Sequence, residues 1–346
     1  MLKLDVVEGF GNDNVEEFLL SNSCSLIYIS RHYIELIAQE TKSTPYWITV
    51  KNCVGLQAVL PLLVKHGVFG SVANSLAYYG SNGGVIANEN AIEAKKTAIR
   101  GFLEFCSEIQ VVASTIITNP LMNDNELYQD CLPYDCQDQR IGQLTFFPKS
   151  RNIDNLLSLF QESRLRDIRK AQRMGILVSV SQSQDAISFL HTIHDRNIRS
   201  VGGIPKRKEF FNYLSNLLPS KNWKIYLAKL NGQFIAGLLL LYYNNTVEYF
   251  TPCIVEEYRS SQALSLLIYQ AMVDAMESGY YSWNWGGTWI TQHGVYNFKK
   301  RWGTIDLTYY YFTRLYLSKL RQIKREVFLR EYPNFFVLPF TAIEKK

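Results

Sequence analysis

The sequence contains no Cys-x-x-Cys pair and no histidine at ligand spacing from a cysteine, which removes the usual zinc frameworks. Its six cysteines (Cys24, Cys53, Cys106, Cys131, Cys136 and Cys253) are scattered, so no disulfide framework is indicated, and even the nearest pair, Cys131 and Cys136, reads as incidental. The expectation is a cytoplasmic protein with reduced thiols and no metal. Long apolar runs are also missing: the longest, near Ile235 to Tyr243, is far too short to span a bilayer. The opening MLKLDVVEGF lacks the pattern of a signal peptide. Charge is sparse, at 19% of residues against 47% hydrophobic, which excludes a disordered polyelectrolyte and implies a substantial core. A net charge of +5 does not demand nucleic acid, but it tolerates an anionic partner such as a phosphate-bearing substrate or an RNA acceptor arm.

What the chain has in excess is aromatic side chains, 22 Tyr and 19 Phe, which suit sheets and pockets better than helix bundles. Its 346 residues leave room for two domains. Residues 1–45 read as helical segments, among them Tyr28 to Glu40, ended by Pro45. Strands Tyr46 to Val50 and Leu56 to Val64 follow. Ala77 to Ala87, with three glycines beside paired tyrosines, reads as an irregular loop at a sheet edge. Next come helix Glu89 to Ile109, a buried strand Val111 to Thr118 and a strand Gln143 to Phe147, with a boundary at Pro148 to Ser150. The second half reads as helix Ile153 to Met174, strand Ile176 to Val180, helices Asp185 to Ser200 and Lys206 to Leu218, and strand Lys224 to Leu230. Asn231-Gly232 is a strong hairpin signal, leading into strands Gln233 to Tyr243 and Thr246 to Pro252 and then helix Tyr258 to Ser278. The tail Arg314 to Arg330 reads as a basic amphipathic helix.

The two halves echo one another. Trp47-Ile-Thr-Val with its following apolar strand and Trp223-Lys-Ile-Tyr with its own both read strand, turn, long apolar strand. In each half a helix of about twenty residues, a buried strand and a final aromatic strand complete the set, the pattern of one duplicated α/β unit. The expected domains are 1–149, 150–318, and a basic helix and tail over 319–346.

The stretch from Tyr280 to Gly303, YYSWNWGGTWITQHGVYNFKKRWG, organises the second half. An aromatic strand, Tyr280 to Trp285, is broken by Gly286 and Gly287, where the backbone is freed for conformations other residues avoid. A short helical run, Ile290 to Arg301, brings Phe298 and three cations before Gly303 and a last strand, Leu307 to Phe312. A strand end, a loosened backbone and a basic turn together suit the mouth of a site for an anionic or polar ligand, with Trp285 and Phe298 on its substrate side. The plainer alternative is a buried strand with a solvated charge cluster. Asn284, polar between two tryptophans in a strand that should be buried, has to find hydrogen-bond partners. Arg166, Arg169, Lys170 and Arg173 fall on one helix face at i, i+3, i+4 and i+7, a phosphate- or RNA-binding stripe or simply a solvated face. Tyr78, Tyr79 and Tyr249 suit stacking on or hydrogen bonding to a sugar, or equally the core. His194 and Asp195 point different ways from a helix and form no dyad, while Asp195 and Arg199 make a simple i, i+4 pair.

The order from Trp223 to Phe312, the duplication, the basic helix RDIRKAQRMG, the strand end WNWGG and the F-K-x-x-W-G pattern at Phe298, Lys299, Trp302 and Gly303 resemble the FemA/FemB/FemX group and its bacterial acetyltransferase relatives. Those proteins carry two GNAT-like halves. The resemblance spans roughly residues 25–315 and implies an α/β fold of two tandem GNAT-like domains, with mixed, mostly antiparallel sheets flanked by helices and the substrate channel between the two lobes. It implies acyl transfer to an amine: from aminoacyl-tRNA to a peptidoglycan precursor in the Fem proteins, from acyl-CoA to sugars or cell-envelope components in the relatives. By the same resemblance Lys299 is the basic residue near the donor or phosphate end, and the loop Tyr78 to Gly84 faces the acceptor. Two departures stand out. The segment Glu257 to Ala263, which matches the glycine-rich donor loop of a CoA-binding GNAT domain, has no glycine, and the coiled-coil insertion of the larger Fem proteins is missing.

Acyl transfer to an amine needs a neutral amine, a polarised carbonyl and reactants held together. A free backbone N–H where neighbouring strands part can polarise the carbonyl, and strand Thr246 to Thr251, around Tyr249 and Thr251, is the expected provider; a plain core strand is the alternative. Lys299 would neutralise a phosphate or the developing oxyanion, against the alternative of a surface lysine beside Lys300. Arg259, Ser260, Ser261 and Gln262, at the start of helix Tyr258 to Ser278, would meet the phosphates of acetyl-CoA or another acyl-CoA, or else serve only as the helix cap. No Ser/His/Asp or Cys/His arrangement supports a covalent intermediate, so direct attack in a ternary complex is expected. The acceptor expected is a nucleotide- or lipid-linked sugar or peptide of the cell envelope, with possible peripheral membrane contact. Two rivals remain: aminoacyl-tRNA as donor, which predicts salt-sensitive RNA binding through the Arg166 to Arg173 stripe, and a non-catalytic glycan-binding protein, which predicts no turnover and no loss in Lys299→Ala.

Overall fold

The structure, a computed structural model, describes the whole chain except Tyr79, Ile290 and residues 343–346. It forms two compact units: Met1–Arg140 with Thr308–Lys346, and Ile141–Leu307.

The first unit runs β1 (Lys3–Glu8), α1 (Asp13–Ser21), α2 (Arg31–Thr41), β2 (Thr44–Lys51), β3 (Leu56–Gly67), β4 (Gly70–Ser75), β5 (Ile86–Ala87), α3 (Ile92–Glu108), β6 (Ala113–Ile117), α4 (Asn125–Cys131) and the start of β7 (Cys136–Phe146). Then follow α5 (Ile153–Leu157), α6 (Glu162–Arg173), β8 (Leu177–Ser181), α7 (Gln184–Ser200), α8 (Lys208–Leu217), β9 (Trp223–Leu230), β10 (Gln233–Tyr243), β11 (Thr246–Ile254), α9 (Ala263–Glu277), β12 (Ser282–Thr288), α10 (His293–Lys300), β13 (Ile305–Leu315) and α11 (Arg325–Glu331). Each unit repeats one plan: an edge strand, two helices, three antiparallel strands, a long helix, a strand parallel to its neighbour (β6 beside β4, β12 beside β11), a short helix and a last strand.

The last strands are exchanged. β7 follows the first set of elements yet pairs antiparallel with β12, Asn284 opposite Leu144. β13 follows the second set yet pairs antiparallel with β6, Thr313 opposite Thr115, and those two buried hydroxyls bond at 2.9 Å. The unit boundary therefore falls inside two strands instead of at Pro148 to Ser150 and residue 318, because strand pairing, not loop composition, decides where the chain crosses.

In the second unit the core lies where α6, α9 and α10 cover one face of the sheet. α9 is apolar nearly all round and buries Leu266, Leu267, Ile268, Ala271, Met272 and Met276 against Tyr226, Ala228, Leu238 and Leu240. The Asn231-Gly232 turn has positive φ at both residues, as its hairpin requires. Other expectations are corrected. Residues 3–8 form strand β1 instead of helix, since KLDVVE finds a ladder along β2. The helix expected over Ile153 to Met174 breaks at Phe160, whose ring sits 5.1 Å from Trp302, and Gln161 N–H donates to Arg301 O (2.9 Å). The helix expected from Tyr258 starts at Ala263, after a 3-10 turn over Glu256–Ser261. The tail is not one helix: after β13 ends at Leu315 come a 3-10 turn, Ser318–Gln322, and the short helix α11, its only full helix among the described residues. No helix among the described residues is long and apolar enough to cross a membrane.

The exchange of β13 predicts a specific stability pattern. Thr313→Val leaves the Thr115 hydroxyl buried without a partner and should cost about 1–3 kcal/mol, whereas Thr115→Val/Thr313→Val together should recover much of it. Urea midpoints of the three proteins decide; equal destabilisation by the single and double variants would contradict the pairing.

Candidate active site

The second unit contains a place where two neighbouring strands part. β11 and β12 run parallel through Thr246–Ser282, Val247–Trp283 and Glu248–Asn284, and the pairing then ends. Beyond that rung β12 stays with β7 across an irregularity between Asn284 and Gly287. β11 stays with β10 across a shift at Leu239/Leu240, which leaves Phe250 as an extra residue between Tyr249 and Thr251. Two bulges at one level, on strands that separate, open a wedge in the sheet.

The β12 side of the wedge is held from within. Gly286 has φ +73°, and its N–H donates to Asn284 Oδ1 at 2.9 Å. A Cβ on Gly286 would meet open space, so its backbone conformation, not crowding, favours glycine there. Lys299, projecting from α10, donates to Gly286 O (3.1 Å), Gly287 O (3.2 Å) and Thr288 Oγ1 (2.9 Å). These use all three of its donors. Thr288 in turn donates to Gln143 Oε1 (3.0 Å), and Gln143 Nε2 donates to Tyr296 O (3.2 Å). Burial pulls the Lys299 ammonium down to about 7, since no carboxylate shares its site.

Behind β12, on the α6/α9 face, stands an aromatic wall: Trp285 lies 5.0 Å from Tyr249, 6.2 Å from Phe298 and 5.8 Å from Trp302, ring to ring. Trp285 Nε1 donates to Thr145 Oγ1 (3.0 Å), which bonds Trp302 O (3.0 Å). Arg164, buried on α6, lays its guanidinium over Phe298 and Trp302 and pairs with Asp167 at 2.6 Å. Burial also raises the Tyr249 hydroxyl well above its ordinary value.

On the opposite, α7/α8 face, the last rung carries Glu248 across from Asn284, both buried. Asn284 Nδ2 and Thr251 Oγ1 are buried with no hydrogen-bond partner among the described residues. Lys206, on the loop between α7 and α8, places its ammonium 4.8 Å from the Phe250 ring and has no acidic partner among the described residues. Burial pulls it down to about 8. Its N–H donates to His194 Nε2 (3.2 Å), and burial pulls His194 down to about 3, so that histidine is a neutral strut.

Lys299, Asn284, Trp285, Phe298, Tyr249 and Thr251 thus come together at the wedge. Arg259, Ser260, Ser261 and Gln262 form the turn ahead of α9, with Arg259 and Ser260 exposed and Ser261 buried. There Arg259 is tied to Glu256 at 2.5 Å with Glu257 next in sequence, and Ser261 Oγ already accepts the Ala263 N–H (3.3 Å). Arg169 and Lys170 lie exposed on the outer face of α6, away from the wedge-facing Arg164. Tyr78 belongs to the first unit, buried, with φ +80° and its N–H on Asn334 O (2.8 Å). Tyr79 lies outside the described residues. The reading of the sequence passed over Glu248, Lys206, Arg164, Gln143 and Thr145. A lone acid inside the apolar run Thr246 to Ile254 was a usable signal for Glu248. Gln143 and Thr145 carried none, since they arrive on the exchanged strand.

Residues 161–300 match the family model for the acetyltransferase (GNAT) domain. The crystal structure of FemX superposes with a TM-score of 0.73 at 15% identity, over 91% of this chain and 98% of that one. The fold is a FemX-like tandem GNAT fold. The C-terminal DUF2156 domain of a putative lysylphosphatidylglycerol synthetase from Agrobacterium fabrum is also similar, with a TM-score of 0.58 at 12% identity over 94% of this chain and 98% of that one. So is a tandem GNAT protein from the clavulanic acid biosynthesis pathway, at 0.55 and 9% over 90% and 98%. At such identities the likeness is one of fold. No curated protein matches the sequence significantly. In this FemX-like fold the GNAT match spans Glu248, Asn284 and Lys299 and leaves out Gln143 and Thr145.

The buried Lys299 makes stability depend on pH with a definite sign. Its folded value of about 7 lies below the ordinary 10.5, so below pH 7 both states are charged and the cost of burial is fully present. As pH rises from about 7 towards 10.5 the folded protein has released the proton and the unfolded chain has not, so stability is gained, at most about 1.4 kcal/mol per pH unit. Unfolding free energies of the wild type relative to Lys299→Met should therefore climb across that window; a flat difference would contradict the burial.

Proposed function

We propose that the protein is an N-acyltransferase that moves an activated acyl group onto an amine of an anionic cell-envelope precursor, at the wedge between β11 and β12. The observation that carries this reading is the last rung, where the carboxylate of Glu248 faces Asn284 just before the strands part. Glu248 takes the proton as the amine nitrogen attacks the acyl carbon, and the C–S or C–O bond to the carrier breaks as the leaving group takes up a proton. The unpartnered Asn284 Nδ2 and Thr251 hydroxyl are donors for the acyl oxygen as it gains charge. Lys206, a half-buried cation with no acidic partner among the described residues, receives a phosphate or carboxylate of the acceptor. Lys299 holds the Gly286–Gly287 backbone in place, and Trp285, Phe298 and Tyr249 wall off water behind it.

The donor is either acyl-CoA or aminoacyl-tRNA. The acidic, glycine-free turn at Glu256–Ser261 favours the second, with a peptidoglycan-type precursor as acceptor. A purely glycan-binding role leaves the unpartnered donors Asn284 Nδ2 and Thr251 Oγ1, at the point where the strands part, without a task.

Mass spectrometry of cell-envelope precursors with and without the gene should show one fixed mass difference, which names the acyl group; identical spectra overturn the enzymatic reading. With that acceptor in hand, Glu248→Gln should lower kcat by about 10²–10⁴ while the fold is retained. An unchanged kcat removes Glu248 from the chemistry.

A further inference from the structure

The wedge leaves the cationic face of α6 without a task. Arg164, Ile168 and Ala171 turn inward, so Arg166, Arg169, Lys170 and Arg173 point out from the opposite side of the helix. Arg169 reaches Glu162 at 3.6 Å, and the other three meet no acid among the described residues. Directly after the helix come three exposed apolar side chains: Met174 is 42% exposed, Leu177 71% and Val180 48%.

β8, which carries two of them, is the outer strand of its sheet. Edge strands are normally guarded by charge or proline, as β1 is by Lys3, Asp5 and Glu8, but β8 reads LVSVS. Val178 pairs with Ala228 and packs into the core under α6 and α9, so Val180, two residues on, lies on the same side of the sheet as α6. Between β8, α6 and α9 runs a groove of about 420 Å³ whose apolar lining, Ile176, Val178, Val180 and Leu266, is interrupted by Gln172, Gln270 and Asp274; Asp274 is held by Tyr226 (2.8 Å) and Gln270 (2.8 Å). Val180 therefore shares the α6 side of the unit with the cations, while Leu177, one residue before Val178, projects from the opposite face at the same open edge.

We infer that the outer face of α6 and the adjoining edge of β8 form a docking surface for an anionic lipid bilayer. The cations meet the headgroups, while Met174 and Val180 enter the interface beside the groove and Leu177 reaches it from the open sheet edge. RNA would satisfy the cations but leave three aliphatic side chains and an unguarded edge without purpose, since single strands are held by stacking on aromatic rings. The inference stands on this surface alone and is independent of the acyl-transfer reading.

The test is co-sedimentation of the full chain with extruded vesicles of phosphatidylcholine, with and without one-third phosphatidylglycerol. Partition is expected only onto the anionic vesicles and should weaken with added salt. Arg166→Glu/Lys170→Glu/Arg173→Glu should lower it at least roughly tenfold. Leu177→Ser/Val180→Ser, which leaves the charge untouched, should lower it several-fold; circular dichroism checks that both variants are folded. Wild-type protein that ignores phosphatidylglycerol overturns the inference without any variant, and so does partition that survives both sets of changes. Binding to an RNA oligonucleotide that is lost in the charge reversal, kept in the serine variant and unaccompanied by vesicle partition would assign the face to nucleic acid.

Discussion

The second unit depends on keeping two parallel strands together for three rungs and apart thereafter. Strand ladders are cooperative, and an unpaired stretch of buried backbone is costly, so the separation has to be held open by something other than loop flexibility. Lys299 supplies it: its ammonium grips the carbonyls of Gly286 and Gly287 and the hydroxyl of Thr288, oxygens along the strand beyond the last rung. Asn284 satisfies the Gly286 N–H from the other direction. Between them they hold a bulge that would otherwise anneal or fray.

That arrangement is expensive, and the expense is informative. A lysine buried without a carboxylate gives up proton affinity; this holds fully for Lys299 and in part for the half-buried Lys206. The two cases differ in what surrounds the nitrogen. Lys299 is saturated by oxygens of its own unit and so acts on the backbone. Lys206 rests on the Phe250 ring with no acidic partner among the described residues. Arg164 is a third buried cation, balanced by Asp167 and by the aromatic faces above it.

The exchange of last strands ties the repeat together in an unexpected way. Gln143 and Thr145, which support Lys299 through Thr288 and anchor Trp285, reach the wedge on β7, a strand written in the sequence before any other element of that unit. A reading that treats each half as self-contained assigns them to the wrong sheet. The same exchange explains why composition near Pro148 suggested a boundary that the pairing ignores.

By itself the sequence determined the α/β plan, its duplication and most elements of the second half, because period-2 and period-3.6 patterns, the Asn231-Gly232 turn and the Gly286-Gly287 break are local signals; β4 (Gly70–Ser75) was not among the strands it read. It also singled out Lys299, Asn284, Trp285, Phe298, Tyr249 and Thr251, since polar or glycine residues inside aromatic strands are conspicuous. It erred at β1, at the break before α6 and in the tail, where pairing partners distant along the chain overrule weak local propensity. Only the tertiary structure decided which cations turn inward, that Arg259 is spent on Glu256, and that Glu248 stands opposite Asn284 where the strands part. Those outcomes depend on register and on which face each residue takes, and both are fixed by contacts between segments far apart in the chain.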